Sequence, residues 1–87
     1  MDTRAIDSAR RITAADLVNE QQQVGIAGSP VVVWVPHWSS WAIYGIAGVL
    51  APPNGHSERF GTLQEAHDCL AWCGINRYLV KGPQSGQ

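Results

Sequence analysis

The side chains best equipped for chemistry are two cysteines and three histidines. His67, Cys69 and Cys73 lie close together near the C-terminal end, while His37 and His56 stand apart. Structural zinc needs four converging ligands, and these spacings match no knuckle or ribbon pattern. No metal site is assigned, and no cofactor is expected. A nucleophilic cysteine needs a base and a lowered pKa, which helix N-termini and neighbouring cations provide. Cys69 and Cys73 fall in the middle and at the C-terminal end of an expected helix, where the dipole opposes a thiolate. On a helical wheel Cys73 points to the core and Cys69 lies off it, so the two need not share a metal. Four residues apart on one helix, they are also a poor match to disulfide geometry. His67 and Asp68 are sequential, and adjacent helix positions do not face each other, so they form no dyad. The glycines of Gly45-Ile46-Ala47-Gly48 lack the lysine and following helix of a phosphate loop. No catalytic residue is assigned, and the chain reads as non-enzymatic.

The aromatic residues carry more information. Trp34, Trp38, Trp41 and Tyr44 fall within eleven residues, and tryptophan and tyrosine are enriched at binding hot spots. Trp38 sits in an expected turn, where burial is hard to arrange, and Trp72 lies nearly opposite the apolar stripe of its helix. One reading is that the rings fill a small core, with a cross-strand pair bracing a hairpin. A second makes Trp34, Trp38, Trp41, Tyr44 and Trp72 contacts for another protein. A third is base stacking on single-stranded nucleic acid, which pairs aromatics with a basic groove. Arg59, Arg77 and Lys81 supply such a patch if the third and last strands are neighbours, with the N-terminal arginines as a flexible arm.

Charge disfavours that third reading. The net charge is -1 over 87 residues, and no Asp, Glu, Lys or Arg occurs from Gln21 to Ser57. Non-specific phosphate binding needs a cationic excess that is absent here. The charge-free run raises the question of a membrane, since about 20 apolar residues cross a bilayer as a helix. Pro36-His37-Trp38-Ser39-Ser40 interrupts the run, and no membrane span is assigned. The N-terminus has no apolar signal segment, and reduced thiols fit a cytoplasmic location.

These side chains must be positioned by a small number of elements. Residues 1–12 are polar and weakly patterned and read as a flexible arm. Thr13-Ala14-Ala15-Asp16 is a capping box opening a helix at Ala14, stopped by Gly25 and Gly28. Val31–Val35 is strand-forming by composition, Pro36 ends it, and His37 to Ser40 form a turn. Trp41 to Leu50 reads as one long second strand, apolar on both faces, with Gly45 and Gly48 marking a bulge, a bend or a close backbone approach. Residues 51–55 are a turn, and His56 to Phe60 return as a third strand. Thr62 and Glu65 cap a second helix, with Leu63, Ala66, Leu70 and Cys73 as its stripe and Gly74 as its left-handed end. Ile75 to Val80 is a last strand, and residues 83–87 a disordered tail.

The pattern predicts a single α+β domain over residues 13–82, in the order α-β-β-β-α-β. Its sheet is expected to be small and antiparallel, with three to four strands and helices packed on it. Because both faces of the long strand are apolar, each needs a cover. The C-terminal helix supplies one, and the N-terminal helix or a second molecule supplies the other. A homodimer is therefore expected, with another protein as a further partner, nucleic acid as the alternative and no membrane.

A tryptophan-bearing strand followed by Phe60, Thr62, Glu65 and Ala66 in an F-x-T-x-x-E-A arrangement resembles small uncharacterised bacterial domains, some of them carried by phages and plasmids. The likeness covers about half of the chain. It implies a bacterial or mobile-element origin rather than an activity.

Overall fold

A computed structural model describes residues 5–52 and 57–82. The chain is α+β, with two helices and a five-stranded mixed sheet. Its elements are β1 (Arg11–Ile12), α1 (Ala14–Val24), β2 (Val31–Val35), β3 (Ser40–Tyr44), β4 (Val49–Leu50), α2 (Leu63–Trp72) and β5 (Leu79–Lys81). Single 3-10 turns occupy Ile6–Ser8, Gly25–Gly28 and Pro36–Trp38.

Both helices begin where their caps dictate. Thr13 Oγ1 accepts from the Asp16 amide and Asp16 Oδ2 from the Thr13 amide, each at 3.1 Å. Thr62 and Glu65 repeat the arrangement at 3.1 Å in both directions. Each box gives partners to helix amides that would otherwise lack them. The helices end at glycines with left-handed φ, 71° at Gly25 and 84° at Gly74, a region that side chains other than glycine rarely enter.

The strands lie in the order β1-β4-β3-β2-β5. β2 and β3 form the expected antiparallel hairpin, from Val31 opposite Tyr44 to Val35 opposite Ser40. The sheet is not purely antiparallel, because β1 runs parallel to β4 and β5 parallel to β2. The expected long strand from Trp41 to Leu50 is broken in two. Gly45 donates to the Gly48 carbonyl at 2.7 Å, and the chain folds back so that Val49 lies opposite Tyr44. Glycine is needed at 48 because a Cβ there would collide with the backbone oxygen of Arg10. Two of the three readings of these glycines are realised, a bend over residues 46–48 and a close backbone approach at Gly48. The expected third strand shrinks to one bridge at Phe60, held by Trp41 N–H to Phe60 O at 2.7 Å and Phe60 N–H to Trp41 O at 2.9 Å. His56, part of the 51–55 turn, the first four residues and the tail at 83–87 lie outside the described residues.

The sheet has a core on each side. Ile12, Leu17, Val32, Ile43, Leu50, Phe60, Ala66, Leu70 and Ile75 form the first, so α1 and α2 cover the same face. The second consists of Ile6, Val33, Val35, Trp38, Ala42 and Val49. Its cover is thus neither the N-terminal helix nor a second molecule but residues 6–9 and the hairpin loop. The stretch expected to be a flexible arm is built into the fold from residue 5 on. Ile6 is fully buried, and two of the polar residues that made the segment look like an arm, Asp7 and Arg11, are ties. Arg11 forms a two-pronged pair with Glu58 at 2.6 and 3.0 Å and donates to the carbonyls of Ile6 and Ala9 at 2.9 and 2.7 Å.

Candidate interaction surface

The hairpin tryptophans are mostly turned inward. Trp34 and Trp41 are a cross-strand pair, edge to face with centroids 5.4 Å apart, and Trp41 packs against the first core. Trp38 is buried, because the Pro36–Trp38 turn folds its ring over the second core. A buried indole needs a hydrogen-bond acceptor, and Asp7 Oδ1 accepts from Trp38 Nε1 at 2.8 Å. The Arg59 guanidinium lies over the other part of this assembly, 4.5 Å from the Trp38 ring centroid, a cation–π placement. Tyr44 is half-buried beside the second core. Only Trp72 has a largely open ring, 68 % exposed.

Sequence reasoning missed the partnership of Asp7 and His37. His37 Nε2 lies 3.1 Å from Asp7 Oδ2. The indole donor, with His37 and Arg59 nearby, holds the Asp7 carboxyl below its ordinary range, against a smaller opposing effect of desolvation. A carboxylate beside an imidazole is two parts of a hydrolytic triad. Ser40, however, donates its hydroxyl to the Trp38 carbonyl at 3.2 Å. The arrangement ties the N-terminal segment to the hairpin loop.

The basic residues do not gather into a groove. Trp41 pairs with Trp34 on one side and with Phe60 on the other, and β5 lies beyond β2. The backbone next to Arg59 is therefore three strand spacings from β5 and Lys81, about 14 Å. The neighbouring placement that a nucleic-acid patch of Arg59, Arg77 and Lys81 requires is not met. Arg77 and Lys81 are exposed.

The thiols also differ from expectation. Cys69 and Cys73 are both free, both partly exposed and both packed against the first core. Burial pushes the Cys69 thiol up to about 11, with the neighbouring Cys73 adding to the effect, and burial raises Cys73 as well. No group of three or more His, Cys, Asp or Glu able to hold a metal occurs among the described residues. His67 is engaged elsewhere, its Nδ1 2.8 Å from the Tyr78 hydroxyl.

Among the described residues, no strand pairs with β5 on the side away from β2. β5 is an end strand, and its three residues are all exposed, Leu79 by 57 % and Val80 by 46 %. Leu79 donates its amide to the Pro30 carbonyl at 2.9 Å. Backbone groups alternate sides along a strand, so the N–H and C=O of Val80 point away from β2, towards the open edge. The strand expected over Ile75 to Val80 is shorter and shifted to Leu79–Lys81, and nothing local in those residues says that it is the last one in the sheet. That follows only from the parallel pairing with β2.

No helix among the described residues is long and apolar enough to cross a membrane. The chain matches no protein-family model, no curated protein and no solved structure.

Proposed function

We propose that this α+β domain is a non-enzymatic association module that acts by strand addition along β5, its first partner being a second copy of itself. The observation that carries the reading is an end strand with an open polar edge and two half-exposed apolar side chains, Leu79 and Val80. Natural sheets usually protect such edges, and an uncovered one is a template for a further strand. The sequence also favours self-pairing. A two-fold axis at Val80 makes Val80 and its copy a hydrogen-bonded antiparallel pair and sets each Lys81 opposite a Leu79, so the lysines do not meet. Symmetric pairing of this kind closes on itself as a dimer. With three residues in the strand, the interface is small and the dimer weak.

On this reading the contact surface is β5 and not the aromatic hairpin, where Trp38 is buried and Trp41 and Tyr44 pack against the cores. A bacterial or mobile-element origin is compatible with a small association module but does not select the partner.

The test is molar mass by light scattering across a dilution series. The wild-type chain is expected to pass from dimer to monomer on dilution. Val80→Lys sets two like charges directly opposite each other across the axis, which is destabilising, and should be monomeric throughout. Val80→Glu should be monomeric too, while an equimolar mixture of the two variants should dimerise. A wild-type monomer at every concentration, or variants that dimerise alone as well as the wild type does, would refute the proposal.

A further inference from the structure

Cys69 and Cys73 are used neither by the fold's hydrogen-bonded ties nor by the proposed association at β5. They are one helical turn apart on α2, Cys73 being its C-terminal cap. Both thiols are free and half-open and both pack against the first core, so the two reactive atoms share one patch of surface.

We propose that Cys69 and Cys73 form a bidentate site for trivalent monoorganoarsenicals, which close a ring by binding both sulfurs of one chain. Two properties select that chemistry. Side chains at i and i+4 of a helix stand about 5–6 Å apart at Cβ, beyond the roughly 3.8 Å of a disulfide. A bridging atom between the sulfurs spans what a direct S–S bond does not.

Charge supplies the second property. The C-terminal end of a helix carries partial negative charge, and the last turn of α2 has no basic residue. Burial opposes a thiolate at either position. A product with no net charge is therefore favoured over an anionic metal dithiolate. The balanced step is R–As(OH)2 + 2 R′SH → R–As(SR′)2 + 2 H2O. Two As–O bonds break, two As–S bonds form, each thiol proton leaves in a water molecule, and arsenic stays trivalent.

The experiment uses the reduced full chain and phenylarsine oxide, which hydrates to the dihydroxy form. Intact mass is expected to show one phenylarsenic per chain, with the helical circular dichroism retained. Cys69→Ser and Cys73→Ser should each bind at least about 100-fold more weakly, because the second bond is intramolecular only when both thiols are present. The thermal midpoint of the wild-type chain should rise, since a ligand held by the folded state stabilises it. That last readout needs no variant to fold. Single variants that bind as tightly as the wild type would overturn the proposal. So would a falling midpoint, which would mean that the reagent captures unfolded chain.

Discussion

Ile6→Ala tests whether the N-terminal segment is part of the folded unit. Ile6 is fully buried and packs with Val33, Val35, Trp38, Ala42 and Val49 in the second core. Truncating a buried isoleucine to alanine costs about 2–5 kcal/mol, depending on how far the site collapses. The second core is thin and roofed by a short segment that can settle, so the lower part of that range, about 2–3 kcal/mol, is expected. For a domain of this size the loss amounts to a drop of roughly 10–20 °C in Tm. Urea unfolding followed by tryptophan fluorescence and by far-ultraviolet circular dichroism measures it, the first probe reporting on Trp38 directly. Ile6→Val should lose only about 1 kcal/mol. A change below about 0.5 kcal/mol for Ile6→Ala, the size of an ordinary surface substitution, would mean that residues 5–12 do not hold the sheet. The two-core account would then fail.

Three further outcomes are expected. The Asp7 carboxyl is held below its ordinary 3.8, so its ties contribute stability that is complete above that value and is lost as pH falls through the lowered one. Asp7→Asn should therefore shrink the fall in urea midpoint between pH 6 and pH 3, and an unchanged fall would count against the tie. Glu20 accepts from the Ile46 and Ala47 amides at 2.7 and 2.9 Å, so Glu20→Ala should speed exchange of those two amides about tenfold, equivalent to about 1.4 kcal/mol. Equal rates would show that the turn holds without the carboxylate. Gly48→Ala forces a Cβ onto the Arg10 carbonyl and should cost about 3 kcal/mol by displacing β1. It should also open the bonds after Arg10 and Arg11 to trypsin, and resistance equal to wild type would contradict that placement.

What could be read from the sequence were the features whose causes are local. Two capping boxes, two terminal glycines and a run of valines fix both helices and the β2–β3 hairpin with little help from elsewhere. The break in the long strand was not legible, because Gly45 to Gly48 is apolar and uncharged while one of its supports, the Glu20 carboxylate, is 26 residues away. The N-terminal segment misled for the same reason. A single isoleucine among polar residues gives no periodic signal, and Arg11 meets Glu58 across 47 residues. Trp38 looked open because it sits in a turn, and it is buried because Asp7, 31 residues earlier, satisfies its indole. The residues of the candidate surface were visible as a strand, but their edge position depends on pairing that local propensity cannot express.

The two parallel pairings at the margins of the sheet set an order of assembly. β2, β3 and β4 are joined by short turns, so their contacts form with little loss of chain entropy. β1 must find β4 across 38 residues and β5 must find β2 across 48, by the registers Arg11 with Val49 and Val31 with Leu79. Loop closure over such separations slows pairing, so the central meander is the nucleus and the two flanks dock late. During synthesis β5 is also the last of these strands to emerge, and until it docks the open margin belongs to β2. A strand supplied from outside in that interval competes with the chain's own β5 for Val31 to Val33, and exchange of β5 between two copies becomes a second route to a dimer.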